Sequence, residues 1–532
     1  MMIVNRFLAR DNQRHVVTSI LLGALLAIFL ITRLSFLMRL PPFIDEGLHS
    51  YYVRVMESGI ISAGAGDGKW LSILIFFGLS RLPVDMLLIL RLATVASGAL
   101  TLIAIFFVGR ALFTTKVGLL SALFYIFLPY AWFYNRLGLT DGIAVAFGAW
   151  ALLVAVLALR SDNGLYSVIL TALLLASLLA KASGMLFILF PLLALVILTP
   201  PAQWRSGFRK ILPALLGATI IAVIMFSQGM GTAEIVHKTV ETRSAGLIEQ
   251  VAENTTTAGG WFWALLTPPL AILAVAAILS PIIWRRQRGL LFLLSLLVIS
   301  LAPYVLTAAT WYPRYLLFAP VPLALVLGCF WDWITELIGR VMSSRRGMML
   351  SVFLLALLFI WPALYGLRLA VAPDEARLPT IVRRQYISAW TAGYGVEELA
   401  RFLEQEAQAA PGGLLVLRPD HLSQVNHGGL ELFLPDDDRL QLQTIGDDVE
   451  QELQAALADR PADQRAVFVF DSTQQESLET AEMVGRYATV SPIWRNTKPG
   501  ATGGLEVWEL NGVPQPSAFV PGIAVKYSKR TP

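Results

Sequence analysis

Two adjacent carboxylates, Asp45 and Glu46, open a segment that reads PPFIDEGLHSYYVRVMESG. Beyond them Leu48, Tyr51, Tyr52, Val55 and Met56 recur at helical spacing, while Glu46, His49 and Glu57 share the polar side. That pattern predicts a helix lying in a membrane interface with tyrosines at headgroup depth. Pro41-Pro42 sets Asp45 at or just before the helix N-terminus, where the helix dipole favours a carboxylate. Two readings stay open: a catalytic acid/base pair at the membrane surface, or an N-cap and a solvated first turn.

Other charges recur at the same level. The segment 136–141, RLGLTD, puts Arg136 and Asp141 in a very short hairpin between two apolar runs. Charges at membrane depth are costly unless paired or functional, so an Arg–Asp pair, or Asp141 capping the next span, is the structural alternative. Lys181 ends an apolar run in LLAKASGML, where a lone lysine can also snorkel. Arg314 stands in Trp311-Tyr312-Pro313-Arg314-Tyr315; the aromatics suit an interfacial belt, and the guanidinium offers a planar fork for phosphate. Lys69 follows the flexible GAGDG. Three cations, Lys69, Lys181 and Arg314, thus share a face with Asp45 and Asp141. Cations that hold a lipid-anchored phosphate also stabilise charge developing on it as a leaving group, and a carboxylate can deprotonate an incoming hydroxyl. Sugar transfer from a polyprenyl phosphate needs this set of parts and no nucleotide-binding domain.

The elements that must carry these residues follow from composition. Of 532 residues 56% are hydrophobic and only 15% charged, against roughly 25% charged in ordinary globular proteins, so much of the chain must face lipid. Apolar stretches long enough for a hydrocarbon core of roughly 30 Å occur at 16–37, 84–109, 117–134, 140–159, 165–181, 184–200, 211–228, 260–283, 289–309, 314–335 and 347–369, which is eleven spans. Fifteen arginines and lysines fall before span one or in alternate loops, with four acids beside them. By the positive-inside rule that side is cytoplasmic, the N-terminus included, and span one reads as a retained anchor. Outer loops at 38–83 and 229–259 and the tail from 371 are then extracytoplasmic. The tail has 23 acids and 14 bases, and residues 1–370 have 14 acids and 27 bases. The net charge of +4 therefore averages a basic membrane region and an acidic domain, and nucleic acid is not an implied partner. A single cysteine, Cys329, excludes disulfides within the chain.

Residues 371–532 read as a soluble α/β domain. Helices are expected at 396–408, 450–458 and 475–487, buried strands at 413–417 and 466–470, and an edge or antiparallel strand at 505–510. Asn254-Thr255-Thr256 matches a glycosylation sequon.

On these residues the chain resembles the multi-spanning GT-C glycosyltransferases of the protein O-mannosyltransferase and lipid A aminoarabinose transferase type. The resemblance rests on Asp45-Glu46, Lys69, Arg81-Leu82, Arg136 and Asp141, Lys181-Ala-Ser-Gly184, Arg314-Tyr315 followed by Pro320 and Pro322, and a W-x-x-G-Y-G element from Trp390 to Gly395. It covers about residues 16–400 and implies a polytopic α-helical membrane protein of about eleven transmembrane helices in the plasma (inner) membrane. It further implies Asp45 as the base that activates an acceptor hydroxyl, with Glu46 beside it, and Asp141 as a second acid. Lys69, Lys181 and Arg314 would contact the donor phosphate. His49, Arg136, Tyr315, Trp390 and Tyr394 would line the substrate cavity, or serve as lid and interface anchors. The donor would be a polyprenyl-phosphate sugar, the acceptor a lipid, glycan or protein, and the reaction inverting. No cofactor is required; some relatives use a divalent cation, which Asp45, Glu46 and Asp141 could hold. Two departures stand out: the usual Lys-Pro-Pro stretch is Lys69-Trp70-Leu71 here, and the surroundings of Asp67 lack the family's acceptor-side pattern. A transporter or flippase of lipid-linked sugars, and an inactive membrane scaffold, are the competing classes.

Overall fold

The structure is a computed structural model that describes residues 2–230, 246–279, 287–308, 310–435, 437–487 and 492–510. Residues 231–245 of the expected loop 229–259, with Glu234 and Glu241, and the arginines at 285 and 286 lie outside the described residues. The chain divides into two units: Met1–Leu40 with Tyr52–Val382, and Pro41–Tyr51 with Arg383 onward.

The first unit is helical. Seven of its described helices are long and apolar enough to cross a membrane: His15–Leu34, Met86–Leu112, Thr140–Arg160, Pro201–Ser227, Arg288–Thr307, Pro320–Val341 and Arg345–Val371. These correspond to seven of the eleven expected spans. The other four are short or broken. Pro129, which cannot donate a backbone hydrogen bond, separates Thr115–Phe127 from Pro129–Tyr134. Leu165–Ala180 is 16 residues long and is followed by a 3₁₀ turn, Ala182–Ile188, before Leu189–Leu198. Leu247–Leu266 gives way to Pro268–Leu279 at Thr267. Thr140–Arg160 packs against Met86–Leu112 and Leu165–Ala180, and 78% of its apolar window is buried, against 6% for His15–Leu34. The first helix therefore presents its apolar surface outward, which lipid tolerates and water would not.

Just past the end of that first helix at Leu34, two arginines take the carbonyls of the turn that follows, and a third holds the neighbouring helix Thr115–Phe127. Cations are favoured near the C-terminal end of a helix dipole, and buried carbonyls outside a helix need donors from elsewhere. Arg91, fully buried, donates from Nη1 to the carbonyls of Leu37 and Leu40 at 2.9 Å each. Arg136 donates from Nη2 to Ser35 at 2.9 Å and Phe36 at 2.5 Å. Arg33, also fully buried, donates to the Ile126 carbonyl at 2.9 Å and lies over the rings of Phe29 and Trp132.

The second unit holds a five-stranded sheet of β1 (Leu414–Pro419), β2 (Leu440–Ile445), β3 (Arg465–Asp471), β4 (Trp494–Thr497) and β5 (Gly504–Glu509), in the order β2-β1-β3-β5-β4. β1 runs parallel to β2 and β3, and β5 antiparallel to β3 and β4. Strand alternation sends Leu414, Val416, Val467 and Val469 into a core with helix Val396–Ala409. Leu415, Leu417, Phe468 and Phe470 enter a second core with Val449–Asp459 and Gln475–Val484. Both faces are covered, which is why β1 and β3 are continuous apolar runs. The strand expected at 505–510 is antiparallel and interior, with β4 as the edge.

Candidate functional site

The sequence-chosen residues fall into two clusters, each inside one unit. In the first unit, helix Thr140–Arg160 carries Asp141 in its first turn. Lys181 sits where Leu165–Ala180 breaks, in extended backbone at φ −158° and ψ 135°. Its Nζ meets Asp141 Oδ1 at 2.8 Å, and both side chains are nearly inaccessible, 4% and 7% exposed. Asp141 is thus paired with Lys181, while Arg136 donates to the Ser35 and Phe36 carbonyls. A second break, the 3₁₀ turn Pro313–Leu316, carries Arg314. The hydroxyl of Tyr130 donates to the Pro313 carbonyl and ties this turn down. The Arg314 guanidinium lies 5.3 Å from the ring centres of both Tyr312 and Tyr315, and Lys181 Nζ lies 5.4 Å from Tyr315. Asp141, Ser183, Gly184, Tyr304, Arg314 and Tyr315 line one narrow cleft with about 30 Å³ of free volume. Non-helical backbone at membrane depth is tolerated where protein or a cavity satisfies it, and both breaks border this cleft.

Lys69 belongs to the same region. It precedes helix Trp70–Leu79, is 3.5 Å from Asp67, and Asp67 accepts from the Tyr52 hydroxyl at 2.9 Å. One turn on, Ser72 donates to the Ala180 carbonyl at 2.8 Å, next to Lys181.

The second cluster surrounds the start of helix Ile44–Glu57. Glu46 is fully buried and its Oε2 accepts from the Phe43 N–H at 2.8 Å, the reaching-back half of a capping box. Asp45 is half-buried and His49 buried. Residues 42–44 are stitched to the W-x-x-G-Y-G element: Phe43 bridges Ala392, Ile44 N–H donates to the Thr391 carbonyl at 3.1 Å, and the Phe43 and Tyr386 rings stand 4.5 Å apart. Gln424 Nε2 bridges the carbonyls of Pro42 and Thr391 at 3.2 and 2.6 Å. The approach is too close for side chains. A Cβ on Gly393 would stand 2.3 Å from the Pro42 oxygen, and one on Gly47 2.1 Å from the Gly428 carbonyl carbon. Trp390 and Tyr394 are half-buried on this element.

Sequence reasoning missed what holds that element. Lys498, completely buried, donates to the carbonyls of Ala389 at 3.0 Å and Ala392 at 2.7 Å and to Asp471 Oδ2 at 2.6 Å. Burial pushes its ammonium below the usual lysine value, with Asp471 pulling the other way. Lys498 and Asp471 are 27 residues apart, and no local motif joins them. Replacing Lys498 with Met strands a buried carboxylate, which typically costs about 3–5 kcal/mol. A large fall in Tm of the full chain in detergent is the expected result, with Lys498→Met/Asp471→Leu less destabilised than the single variant.

The sequon also resolves. Asn254 is buried in helix Leu247–Leu266, donating to the Ala308 carbonyl at 2.9 Å and accepting from the Trp311 indole at 3.1 Å, so it is a structural amide and not a glycan acceptor. Two of the three carboxylates weighed as ligands for a divalent cation are already engaged. Glu46 is bonded to backbone and Asp141 to Lys181. Among the described residues no three His, Cys, Asp or Glu side chains stand close enough to hold a metal ion.

With this geometry in hand, comparisons with known proteins agree with the resemblance read from the sequence. Residues 71–228 match a family model described as dolichyl-phosphate-mannose-protein mannosyltransferase. No curated protein matches the chain in sequence. In fold, the chain is similar to ArnT from Cupriavidus metallidurans bound to undecaprenyl phosphate, with a TM-score of 0.58 and 15% identity over 94% of this chain and 99% of that one. It is also similar to the oligosaccharyltransferase of Archaeoglobus fulgidus in the apo form, with a TM-score of 0.53 and 12% identity over 85% of this chain and 69% of that one. The fold is that of GT-C membrane glycosyltransferases.

Proposed function

We propose that the chain transfers a monosaccharide from a polyprenyl-phosphate donor to a hydroxyl acceptor at the extracytoplasmic face, with its N-terminus cytoplasmic. The observation that carries this reading is the first cluster: Asp141 and Arg314 line one cleft bordered by two helix breaks, and Lys181, at one of those breaks, is paired with Asp141. A donor phosphodiester carries one negative charge, and the phosphomonoester that leaves carries close to two. Lys181 and Arg314, against the single charge of Asp141, leave a net positive site suited to that gain. The ArnT structure with undecaprenyl phosphate and the mannosyltransferase match over 71–228 support the same donor class.

The steps balance without a cofactor. Asp45 takes the proton of the acceptor hydroxyl, and the acceptor oxygen forms a bond to the anomeric carbon from the face opposite the phosphate. The bond to the phosphate oxygen breaks, and the lipid phosphate leaves with the electron pair. The anomeric centre is inverted and no sugar is bound covalently to the chain. Glu46 and Gly393 hold the segment that bears Asp45; Trp390 and Tyr394 line the acceptor side.

Helix breaks bordered by charge are also a transporter feature, and a flippase of lipid-linked sugars is the second reading. Sugar release from a panel of polyprenyl-phosphate monosaccharides by purified chain in detergent separates the two. Release with turnover is expected. Donor binding with no release, whatever acceptor is added from lipid, glycan and peptide sets, would favour transport.

A further inference from the structure

Helix Thr140–Arg160 carries Asp141 in its first turn and Arg160 in its last. At 1.5 Å per residue these ends are about 28 Å apart, close to the thickness of a hydrocarbon core. The candidate site lies at one end. At the other is a separate cavity of about 410 Å³, lined by Leu159, Arg160, Asp162, Gln203, Ser206 and Lys210 among others. Nothing in the proposed transfer uses it.

Its chemistry is specific. Arg160 spends one N–H on the Ala111 carbonyl at 2.5 Å, which fixes the guanidinium, a group with five donors. Lys210 Nζ meets Asp162 Oδ1 at 2.8 Å, but the carboxylate is 98% exposed while the lysine side chain is 23% exposed. Both side chains border the cavity, and with the carboxylate this exposed the pair is screened and exchangeable. Gln203 and Ser206 add neutral polar groups at the start of helix Trp204–Ser227. Val156, Leu159 and Leu198 give part of the wall an apolar surface. Next in sequence to lining residues, Trp204 and Phe208 are exposed large apolar side chains, and Val196 stands two residues before Leu198. A cationic, polar pocket between the ends of spans, flanked by exposed apolar surface, is the arrangement that takes an anionic lipid headgroup. A volume in the range of small-molecule sites admits a glycerophosphate headgroup.

We infer that this cavity binds the phosphodiester headgroup of an anionic glycerophospholipid, with Arg160 and Lys210 on the phosphate and the acyl chains along Val196, Trp204 and Phe208. The site is independent of the transfer reading and lies at the end of the bundle where the sequence concentrates its basic residues.

The test uses the full chain in phosphatidylcholine-containing micelles, titrated with phosphatidylglycerol and read by native mass spectrometry. Saturable retention is expected, falling at least tenfold in Arg160→Gln/Lys210→Gln. Asp162→Asn, an exposed change that removes a competing carboxylate, should tighten binding severalfold and guards against a misfolded double variant. Equal retention of phosphatidylcholine, unchanged binding in both variants, or full displacement by millimolar inorganic phosphate would each overturn the assignment, the last by showing a free-anion site.

Discussion

Replacing Asp45 with Asn is expected to lower turnover on a polyprenyl-phosphate sugar by about 10²–10⁴-fold, the usual contribution of a general base, with little change in donor affinity or Tm. The two adjacent carboxylates are not equivalent, and this is what makes the experiment sharp. Glu46 is fully buried and bonded to the Phe43 N–H, so truncating it to Ala removes a helix cap, typically worth about 1 kcal/mol, and shows first as lost stability. Asp45 is half-buried in the same first turn, and Asn preserves its size and its oxygen acceptor while removing only the proton-accepting charge. Glu46→Gln, which keeps the capping oxygen, should fold and turn over nearly normally. Wild-type rates in Asp45→Asn would remove Asp45 from the chemistry. A loss in Glu46→Gln equal to that in Asp45→Asn would mean the pair acts as one unit.

The contrast between these neighbours shows what a sequence carries and what it does not. Helix Thr140–Arg160 and the capped start at Ile44 are local, written in hydropathy and in Pro41-Pro42, and both were readable. So were Lys181 and Arg314, because a charge that interrupts an apolar run is visible wherever it falls. Their partners were not. Asp141 stands 40 residues from Lys181 and five from Arg136, so sequence proximity offers the arginine as one possible partner and gives no sign of the lysine. Arg91 lies inside a span and was passed over, yet it is fully buried on the carbonyls of Leu37 and Leu40. A hydropathy window registers such a residue as a small penalty, whereas its role depends on carbonyls 54 and 51 residues away. In the sheet, the buried strands β1 and β3 were legible as apolar runs. β2, Leu-Gln-Leu-Gln-Thr-Ile, carries a period-two alternation that could have found it, while β4, four residues long, has too few positions to show a period.

The Asp141–Lys181 pair gives the second large expectation, and here stability and function must be separated. Lys181→Met leaves the Asp141 carboxylate, 7% exposed, without its ion-pair partner, and breaking a buried pair costs about 3–5 kcal/mol. A fall in Tm together with loss of donor binding is the expected result, but that result alone would fit a purely structural pair. Asp141→Asn pulls the other way electrostatically. It removes the anion that offsets Lys181, so polyprenyl phosphate should bind more tightly and leave more slowly, lowering kcat while the apparent Kd for the product falls. The decisive variant is Asp141→Asn/Lys181→Met, in which neither charge remains stranded. If Lys181 holds the donor phosphate, the double variant recovers much of the lost Tm and still fails to bind donor, because Arg314 and Lys69 alone do not replace the missing cation. Recovery of both would reduce the pair to a strut between helix Thr140–Arg160 and the break at Lys181, and would move the phosphate site toward Arg314, which lies between the rings of Tyr312 and Tyr315.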